Sequence, residues 1–246
     1  MKIENNFLIL EDEKLRHPKI FTGKFPTLIN KNSFQKRGDC VLQMFGILEP
    51  EPFDEYYRIR GEIGEKIVKQ YLDIRDENYK YLGLEAKTFD IFTHNNYFGG
   101  VLDFVLPRKS INLEVKSTST NNYQAIVENG GREEHKAQAR LGAYLGNLER
   151  VVLAYVFFTP EQEECIKKGY GDDVIQHFDY TNPKALAFIN IEPNYAELRL
   201  EMKHAFNYYK GCYVNKKVPL DDISGRALEK LGLITEDDIF AREVIC

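Results

Sequence analysis

The chain has 246 residues, of which 43% are hydrophobic and 29% are charged. This length and balance are typical of a globular protein with one large domain, or a core with additions, and they exclude a disordered chain. The formal net charge of −5 excludes a protein coated in positive charge, such as a histone-like binder. It does not exclude binding of nucleic acid through a local basic groove.

Four cysteines are scattered along the chain, at positions 40, 165, 212 and 246, with no C-x-x-C pair. Zinc and iron–sulfur ligands are usually closely spaced, so we expect free thiols and no iron–sulfur cluster. The apolar run near the N-terminus is too short for a signal peptide. No stretch contains the roughly 18 consecutive apolar residues that a membrane span requires. We therefore expect a cytoplasmic protein without a membrane partner.

Residues 1–55 contain four prolines and no clear periodicity, and we interpret them as an N-terminal arm or small subdomain. Apolar residues then recur every four positions, which predicts a helix over 56–73. Three strands are predicted to follow, over 84–92, 97–106 and 111–117.

Residues 118–131 are polar and contain two adjacent glycines, so they predict a loop. A second helix is predicted over 132–149, and the continuous apolar run 150–158 is typical of a strand buried on both faces. The segment 56–158 is thus the predicted core. Residues 159–246 are interpreted as a mostly helical extension packed on the core, with helices near 194–209, 226–232 and 235–242.

The segment YFGGVLDFVLPRKSINLEVKS, residues 97–117, predicts a β-hairpin connected by residues 107–110. Alternation of side chains then gives one face made only of apolar pairs. These pairs are Leu106 with Ile111, Phe104 with Leu113, and Leu102 with Val115. A slip of one residue would destroy the match, so the register is well specified.

The other face of this hairpin places Asp103 directly opposite Glu114, with Cβ atoms about 5 Å apart. Two like charges repel there unless a divalent cation lies between them, and hard oxygen ligands suit Mg²⁺ or Mn²⁺. Lys116 projects from the same face and can reach a metal-bound water or a phosphate. The alternative is an exposed hairpin whose carboxylates pair with Arg or Lys, because this pattern alone often arises by chance.

Two helical residues border the apolar stripes and extend the candidate site. Glu65 lies beside Gly61 and Gly64, which leave room for a close approach of another backbone. Glu65 either joins the metal site, directly or through water, or is a partly buried carboxylate paired with a lysine. Gln138, on the second predicted helix, could hydrogen-bond a phosphate or the attacking water.

Arg132, Lys136 and Arg140 lie on or near the second predicted helix, and Ser117 follows Lys116 on the strand. These four residues are candidates for contacts with the backbone of a nucleic acid. The alternative for the basic residues is a solvated helix face, which is what most charge runs are.

Together, these motifs resemble the PD-(D/E)XK nucleases, and most of all the branch that contains RecB, Cas4, lambda exonuclease and the YqaJ-like phage exonucleases. Gly61 and Glu65 fit the G-x-x-x-E pattern of the phage group. Leu102 stands where the family is named for a proline, and Gly142 stands where many members carry an aromatic residue. The match covers less than half of the chain.

The resemblance implies a restriction-endonuclease-like α/β core in the order αβββαβ, with a mixed central sheet flanked by helices and with N- and C-terminal additions. It implies hydrolysis of a phosphodiester by metal-activated water. In that reaction Lys116 would orient or activate water, and Gln138 would position the helix side of the site.

The resemblance also implies the metal ligands. Asp103, Glu114 and the backbone carbonyl of Val115 would bind Mg²⁺ or Mn²⁺, and Glu65 would assist at the metal. DNA is the implied partner. The resemblance also allows a single-strand annealing protein as a second partner, and it is compatible with an oligomer.

The function predicted from the sequence is a DNA exonuclease of the phage type that acts in recombination or repair. One alternative is an endonuclease of a restriction, transposition or resolution system, because the same centre serves both reactions. The other alternative is a non-catalytic nucleic-acid-binding module on a nuclease fold. Asp103, Glu114 and Lys116 are all present, which favours an enzyme.

Overall fold

The computed structural model describes residues 1–11, 13–52, 54–83 and 88–235. The strands are, in chain order, β1 (Lys2–Glu4), β2 (Phe7–Ile9), β3 (Ile20–Phe21), β4 (Lys80–Tyr81), β5 (Phe98–Gly99), β6 (Phe104–Leu106), β7 (Ile111–Ser119), β8 (Arg150–Phe158), β9 (Leu186–Ile191) and β10 (Lys217–Pro219). The helices are α1 (Phe25–Leu28), α2 (Arg37–Phe45), α3 (Glu55–Ile74), α4 (Tyr123–Glu128), α5 (Glu133–Leu145), α6 (Pro160–Lys167), α7 (Gly171–Gln176), α8 (Tyr195–Asn215) and α9 (Gly225–Lys230).

The chain divides into two compact units, and their boundaries differ from the segments predicted from the sequence. One unit is Pro52–Leu198, and the other comprises the described residues of Met1–Glu51 and Arg199–Cys246. The first 51 residues thus belong with the last part of the chain rather than forming a separate arm. The sequence could not indicate this division, because it depends on contacts between residues far apart in the chain.

The unit that holds both termini contains regular structure where an irregular arm was expected. Strands β1, β2 and β10 form an antiparallel sheet, with Leu8 of β2 opposite Val218 of β10. Helix α2 adds nine further ordered residues. Strands of three residues leave almost no periodic signal in a sequence, which is why the pattern predicted no structure there.

The unit Pro52–Leu198 is built on a five-stranded sheet in the order β4-β6-β7-β8-β9. Strands β7 and β8 are parallel and the other neighbours are antiparallel, so the sheet is mixed. Counting α3, β4, β6, β7, α5 and β8 gives the order αβββαβ. The predicted fold class is therefore confirmed.

Helix α3 covers one face of this sheet. The Asp54 side chain accepts the backbone N–H of Tyr56 and so caps the helix, as acceptors at this position commonly do. The apolar stripe that predicted the helix packs into one core together with side chains of β6, β7 and β8. The stripe residues buried in this core are Ile63, Ile67, Val68 and Leu72.

Helices α4 and α5 cover the opposite face of the sheet, through Ile126, Ala139 and Ala143. Alternate residues of β8 reach this second core, while the others reach the first. Strand β8 covers the predicted range 150–158 and is buried on both faces from Val151 to Phe158, which confirms the predicted buried strand except at the exposed Arg150.

Three predicted elements differ from the structure. Residues 88–92 are not a strand, and the remainder of the predicted strand 84–92 lies outside the described residues; the short β4 takes its place in the sheet. The predicted strand 97–106 is interrupted between β5 and β6, where Gly100 has φ 149°. The predicted loop 118–131 instead contains the end of β7 and helix α4.

Toward the C-terminus, α8 extends the predicted helix 194–209 to Asn215, and α9 corresponds to the predicted helix 226–232. The predicted helix 235–242 lies outside the described residues beyond Thr235. Within the described ranges, none of the helices combines the length and apolarity that crossing a bilayer requires. Cys40, Cys165 and Cys212 are free thiols, and Cys246 is outside the described residues.

Candidate active site

The β6–β7 hairpin has the predicted register, with Phe104 opposite Leu113 and Leu106 opposite Ile111. Strand β6 begins only at Phe104, so Asp103 lies in the bend just before it. The Asp103 carboxylate Oδ2 accepts the backbone N–H of Val115 at 2.7 Å. This side chain thus replaces a strand-to-strand hydrogen bond and holds its carboxylate against β7.

The alternation predicted that Leu102 faces Val115 in the apolar core, and this prediction is wrong. The Leu102 side chain lies against α5, because a Cβ atom placed on Gly142 would be 2.7 Å from Leu102 Cδ2. The chain bends at Asp103, so the alternation of β6 does not continue to Leu102. The contact also explains Gly142: Leu102 occupies the space that a side chain there would need.

Glu114 is 3% exposed and lies at the centre of a polar group of three side chains. Its Oε1 accepts hydrogen bonds from Lys116 Nζ at 2.8 Å and from Gln138 Nε2 at 2.7 Å. Lys116 Nζ also donates to Gln138 Oε1 at 3.2 Å. Asn112 Nδ2 donates to the Ala139 carbonyl at 2.9 Å and so ties α5, which carries Gln138, to β7.

Glu65 extends from α3 to the neighbourhood of Asp103, whose pKa its charge helps to raise. Its Oε2 accepts the hydroxyl of Tyr81 at 3.0 Å. A Cβ atom on Gly64 would lie 3.2 Å from Ser117 Cβ, so α3 approaches β7 closely at this glycine, as predicted. A Cβ atom on Gly61 would have no atom of another element within 4 Å, so no backbone approaches α3 there and that part of the expectation is wrong.

Burial and neighbouring charges change the ionisation of Asp103 and Lys116. Burial, followed by the charges of Glu114 and Glu65, raises the pKa of Asp103 well above its usual range. Burial alone would lower the pKa of Lys116, but the charges of Glu114 and Asp103 outweigh it and raise that pKa. The site therefore holds like charges together around one ammonium group, which is an arrangement that a further cation would relieve.

The donor atoms fit a small divalent cation held partly by water. Among the described residues, no three His, Cys, Asp or Glu side chains form a complete metal cage. Asp103 Oδ1 and Glu114 Oε2 nevertheless have no hydrogen-bond partner within those residues. The Val115 carbonyl points to the same side of β7 as its N–H, toward Asp103. Two carboxylates and one carbonyl suit Mg²⁺, which keeps several of its waters.

The four residues predicted to contact nucleic acid lie in different surroundings. The Arg132 and Lys136 side chains are partly exposed, and Lys136 pairs with Glu133 at 2.8 Å. Ser117 is partly buried beside Gly64. Arg140 is only 7% exposed and pairs with Glu197 at 3.3 Å.

Two polar residues near Lys116 were not singled out from the sequence. Tyr155 lies beside Lys116 in the β7–β8 ladder, and its hydroxyl is 2.7 Å from His135 Nδ1. The sequence offered one signal: a tyrosine inside the apolar run RVVLAYVFF needs a partner for its hydroxyl when it is buried.

The fold matches solved structures of exonucleases. A phage-related exonuclease from Haemophilus somnus 129PT matches 81% of this chain and 96% of its own, with a TM-score of 0.56 and 14% identity. An alkaline exonuclease from Laribacter hongkongensis matches 78% of this chain and 88% of its own, with a TM-score of 0.51 and 12% identity. The latter is also known in complex with dAMP.

No protein-family model and no curated protein sequence matches the chain. The structural likeness therefore establishes the fold, which is that of the phage-related and alkaline exonucleases. The fold that the resemblance implied from short motifs is therefore confirmed.

Proposed function

We propose that this chain is a divalent-metal-dependent DNA exonuclease of the phage type, acting in recombination or repair. The observation that carries the proposal is the convergence of Asp103, Glu114, Lys116, Gln138 and Glu65 on one polar site. This convergence occurs on a fold shared with exonucleases.

In this proposal Asp103, Glu114 and the Val115 carbonyl hold Mg²⁺ or Mn²⁺, and Glu65 assists from α3. When bound, the cation lowers the pKa of a water molecule and neutralises charge on the phosphate. Glu114 binds both Lys116 and Gln138, so its orientation is fixed by two side chains.

Lys116 supplies a positive charge and hydrogen-bond donors at the reacting phosphate. Its ammonium is fixed between Glu114 and Gln138, and the neighbouring carboxylates keep it protonated. A protonated lysine donates hydrogen bonds and cannot accept a proton. In this protonation state Lys116 orients the phosphate or the attacking water.

The proposed DNA contacts outside the centre are Arg132, Lys136 and Ser117. Basic and hydroxyl side chains of this kind commonly contact phosphate oxygens. Arg140 is left out of this surface, because its side chain is buried and paired with Glu197. The complex of the Laribacter enzyme with dAMP is consistent with a DNA substrate for this fold.

The test is a cleavage assay on end-labelled linear duplex DNA with Mg²⁺, comparing the wild type with Lys116→Ala. Wild type should shorten the DNA from its ends, and Lys116→Ala should be at least about 100-fold slower, as for loss of a charge-stabilising donor. Lys66→Ala, an exposed lysine on α3, is the matched control and should be unaffected. No cleavage by wild type, or full activity in a folded Lys116→Ala protein, would refute the proposal.

The same assay separates the alternatives. Cleavage of closed circular DNA would indicate an endonuclease, and DNA binding without cleavage would indicate a non-catalytic module. A single-strand annealing partner and an oligomer stay predictions from the resemblance. Size-exclusion chromatography with light scattering tests the oligomer.

A further inference from the structure

Tyr155 is fully buried, and its hydroxyl joins two parts of the site. The backbone N–H of Arg132 donates to this oxygen at 3.1 Å. The same oxygen lies 2.7 Å from His135 Nδ1. Tyr155 therefore holds the beginning of α5 and the His135 ring at once, one strand away from Lys116.

The donors and acceptors assign the tautomer of His135. A backbone N–H can only donate, so the Tyr155 oxygen accepts from Arg132. Its own hydroxyl hydrogen then needs an acceptor, and His135 Nδ1 is the partner within reach. An acceptor at Nδ1 places the ring hydrogen of a neutral imidazole on Nε2. Tyr155 thus fixes both the orientation of the ring and the position of its hydrogen.

The ring of His135 stays neutral in this setting. Burial, followed by the positive charges of Lys116 and Arg132, lowers the pKa of His135 to about 2. His135 contacts Tyr155, whose neighbour in the β7–β8 ladder is Lys116, and it lies one helical turn before Gln138, which bonds Lys116. His135 therefore borders the lysine of the candidate site.

The Nε2–H group of His135 is a donor that the protein itself does not use. It has no hydrogen-bond partner among the described residues. The side chain is half-buried, and Nε2 is not one of the fully buried polar atoms without a partner in that part of the chain, so it reaches solvent. A fixed, neutral donor at the edge of a site that contains Lys116 suits an oxygen of a nucleic-acid backbone.

Building on the proposed nuclease function, we propose that His135 is a substrate-contacting residue. It donates its Nε2–H to a phosphate oxygen of the bound strand next to the scissile one, and Tyr155 is the positioning residue that orients it. The contact fixes the strand in register with Lys116. It adds no proton transfer to the reaction.

Two substitutions separate this contact from a purely structural role. In His135→Asn the amide oxygen can replace Nδ1 as the acceptor for Tyr155, but the side chain no longer reaches the Nε2 position. In His135→Gln the amide nitrogen can replace the Nε2 donor, while the bond to Tyr155 is lost. His177→Asn, at an exposed histidine, is the matched control.

The dissociation constant for DNA is measured with Ca²⁺ in place of Mg²⁺, next to kcat and KM with Mg²⁺ and the thermal midpoint of each variant. We expect His135→Asn to bind DNA about tenfold more weakly, with a matching rise in KM, as for loss of one hydrogen bond to a charged group. Its kcat and thermal midpoint should stay near wild type. His135→Gln should bind within about threefold of wild type.

Wild-type affinity in His135→Asn would overturn the inference, and so would equal weakening in both variants. If His135→Gln does not fold, the DNA affinity of His135→Asn alone decides whether His135 contacts the substrate. A wild-type protein that neither binds nor cuts DNA would refute the proposed function itself. A wild type that cuts DNA beside an unaffected His135→Asn would refute only the role of His135.

Discussion

Asp103 has two roles that pull stability in opposite directions. Its backbone carbonyl accepts the N–H groups of Leu82 and Gly83 at 2.8 and 3.1 Å, and its carboxylate accepts that of Val115. As a hydrogen-bond acceptor, the side chain supports the point where β6 and β7 separate. As a charge, it is opposed by Glu114 and Glu65.

Substitutions at Asp103 should separate these roles. Asp103→Asn keeps an acceptor for Val115 and removes a repelled charge, so we expect a gain of about 1 kcal/mol in unfolding free energy. Asp103→Ala leaves the Val115 N–H without this acceptor and should cost about 1–3 kcal/mol. Both should abolish cleavage. Urea unfolding and the nuclease assay test these expectations. A lower unfolding free energy for Asp103→Asn than for Asp103→Ala would contradict them.

His135 should make stability depend on pH. Its pKa is lowered to about 2 in the folded protein, against about 6.5 in an unfolded chain. As pH falls below 6.5, the unfolded state binds a proton that the folded state does not, so stability is lost.

The comparison with His135→Asn isolates this effect, because other groups titrate in both proteins. Asp103, whose raised pKa gives the opposite slope, is one such group. From pH 7.5 to pH 5, wild type should lose about 2 kcal/mol relative to the variant. Urea unfolding at pH 5, 6 and 7.5 measures the gap, and a gap that does not change with pH would contradict the neutral ring.

At the scale of elements, two glycines one turn apart on α3 should respond in opposite ways to alanine. Gly61 faces open space, so Gly61→Ala should stabilise the protein by about 0.5–1 kcal/mol through helix propensity and reduced freedom of the unfolded chain. At Gly64 the added methyl would meet Ser117 Cβ at 3.2 Å and push α3 away from β7.

Because Glu65 follows Gly64 directly, this shift should reach the candidate site. We expect Gly64→Ala to reduce kcat while the thermal midpoint changes little, since helix propensity offsets the crowding. Calorimetry and the nuclease assay on the two variants test this. Equal activity of Gly61→Ala and Gly64→Ala would show that the spacing between α3 and β7 does not matter.

Elements with a strong apolar periodicity were predicted correctly from the sequence. The predictions were wrong where the chain departs from a regular periodicity. Helix α3, strand β8 and the register of β6 with β7 follow from apolar patterns that only one arrangement satisfies. The position of Leu102 does not follow, because the bend at Asp103 breaks the alternation. Strand β4 has only two residues, which is too short for any pattern.

The residues of the candidate site were predictable to different degrees. Glu114 and Lys116 lie on one regular strand, so their shared face follows from alternation, and their contact is observed at 2.8 Å. Gln138 and Glu65 come from separate helices. Their positions at the edges of apolar stripes made them candidates but left a purely structural role open, and the family resemblance favoured the site. His135 needed the hydroxyl of Tyr155, a contact between residues 20 positions apart that no local pattern shows.

At the scale of the whole molecule, all the candidate site residues lie within the unit Pro52–Leu198. The chain has a net charge of −5, and three of its carboxylates lie in this one site. A bound cation should therefore stabilise the entire fold.

We expect Mg²⁺ to raise the thermal midpoint of wild type and EDTA to reverse the shift. Binding to the folded state alone adds about 2.7 kcal/mol when Mg²⁺ is 100-fold above its dissociation constant. Asp103→Asn lacks one ligand charge and should show little shift. Differential scanning calorimetry tests this, and an equal shift in both proteins would place the cation elsewhere.

The bond between Asp103 and the Val115 N–H also bears on how such a chain could lose the proposed nuclease activity during evolution. A descendant freed from selection for cleavage would still need an acceptor at position 103 to keep its hairpin intact. Asparagine meets that need and alanine does not. An inactive paralogue should thus carry an amide at this position, while Lys116 would be free to drift.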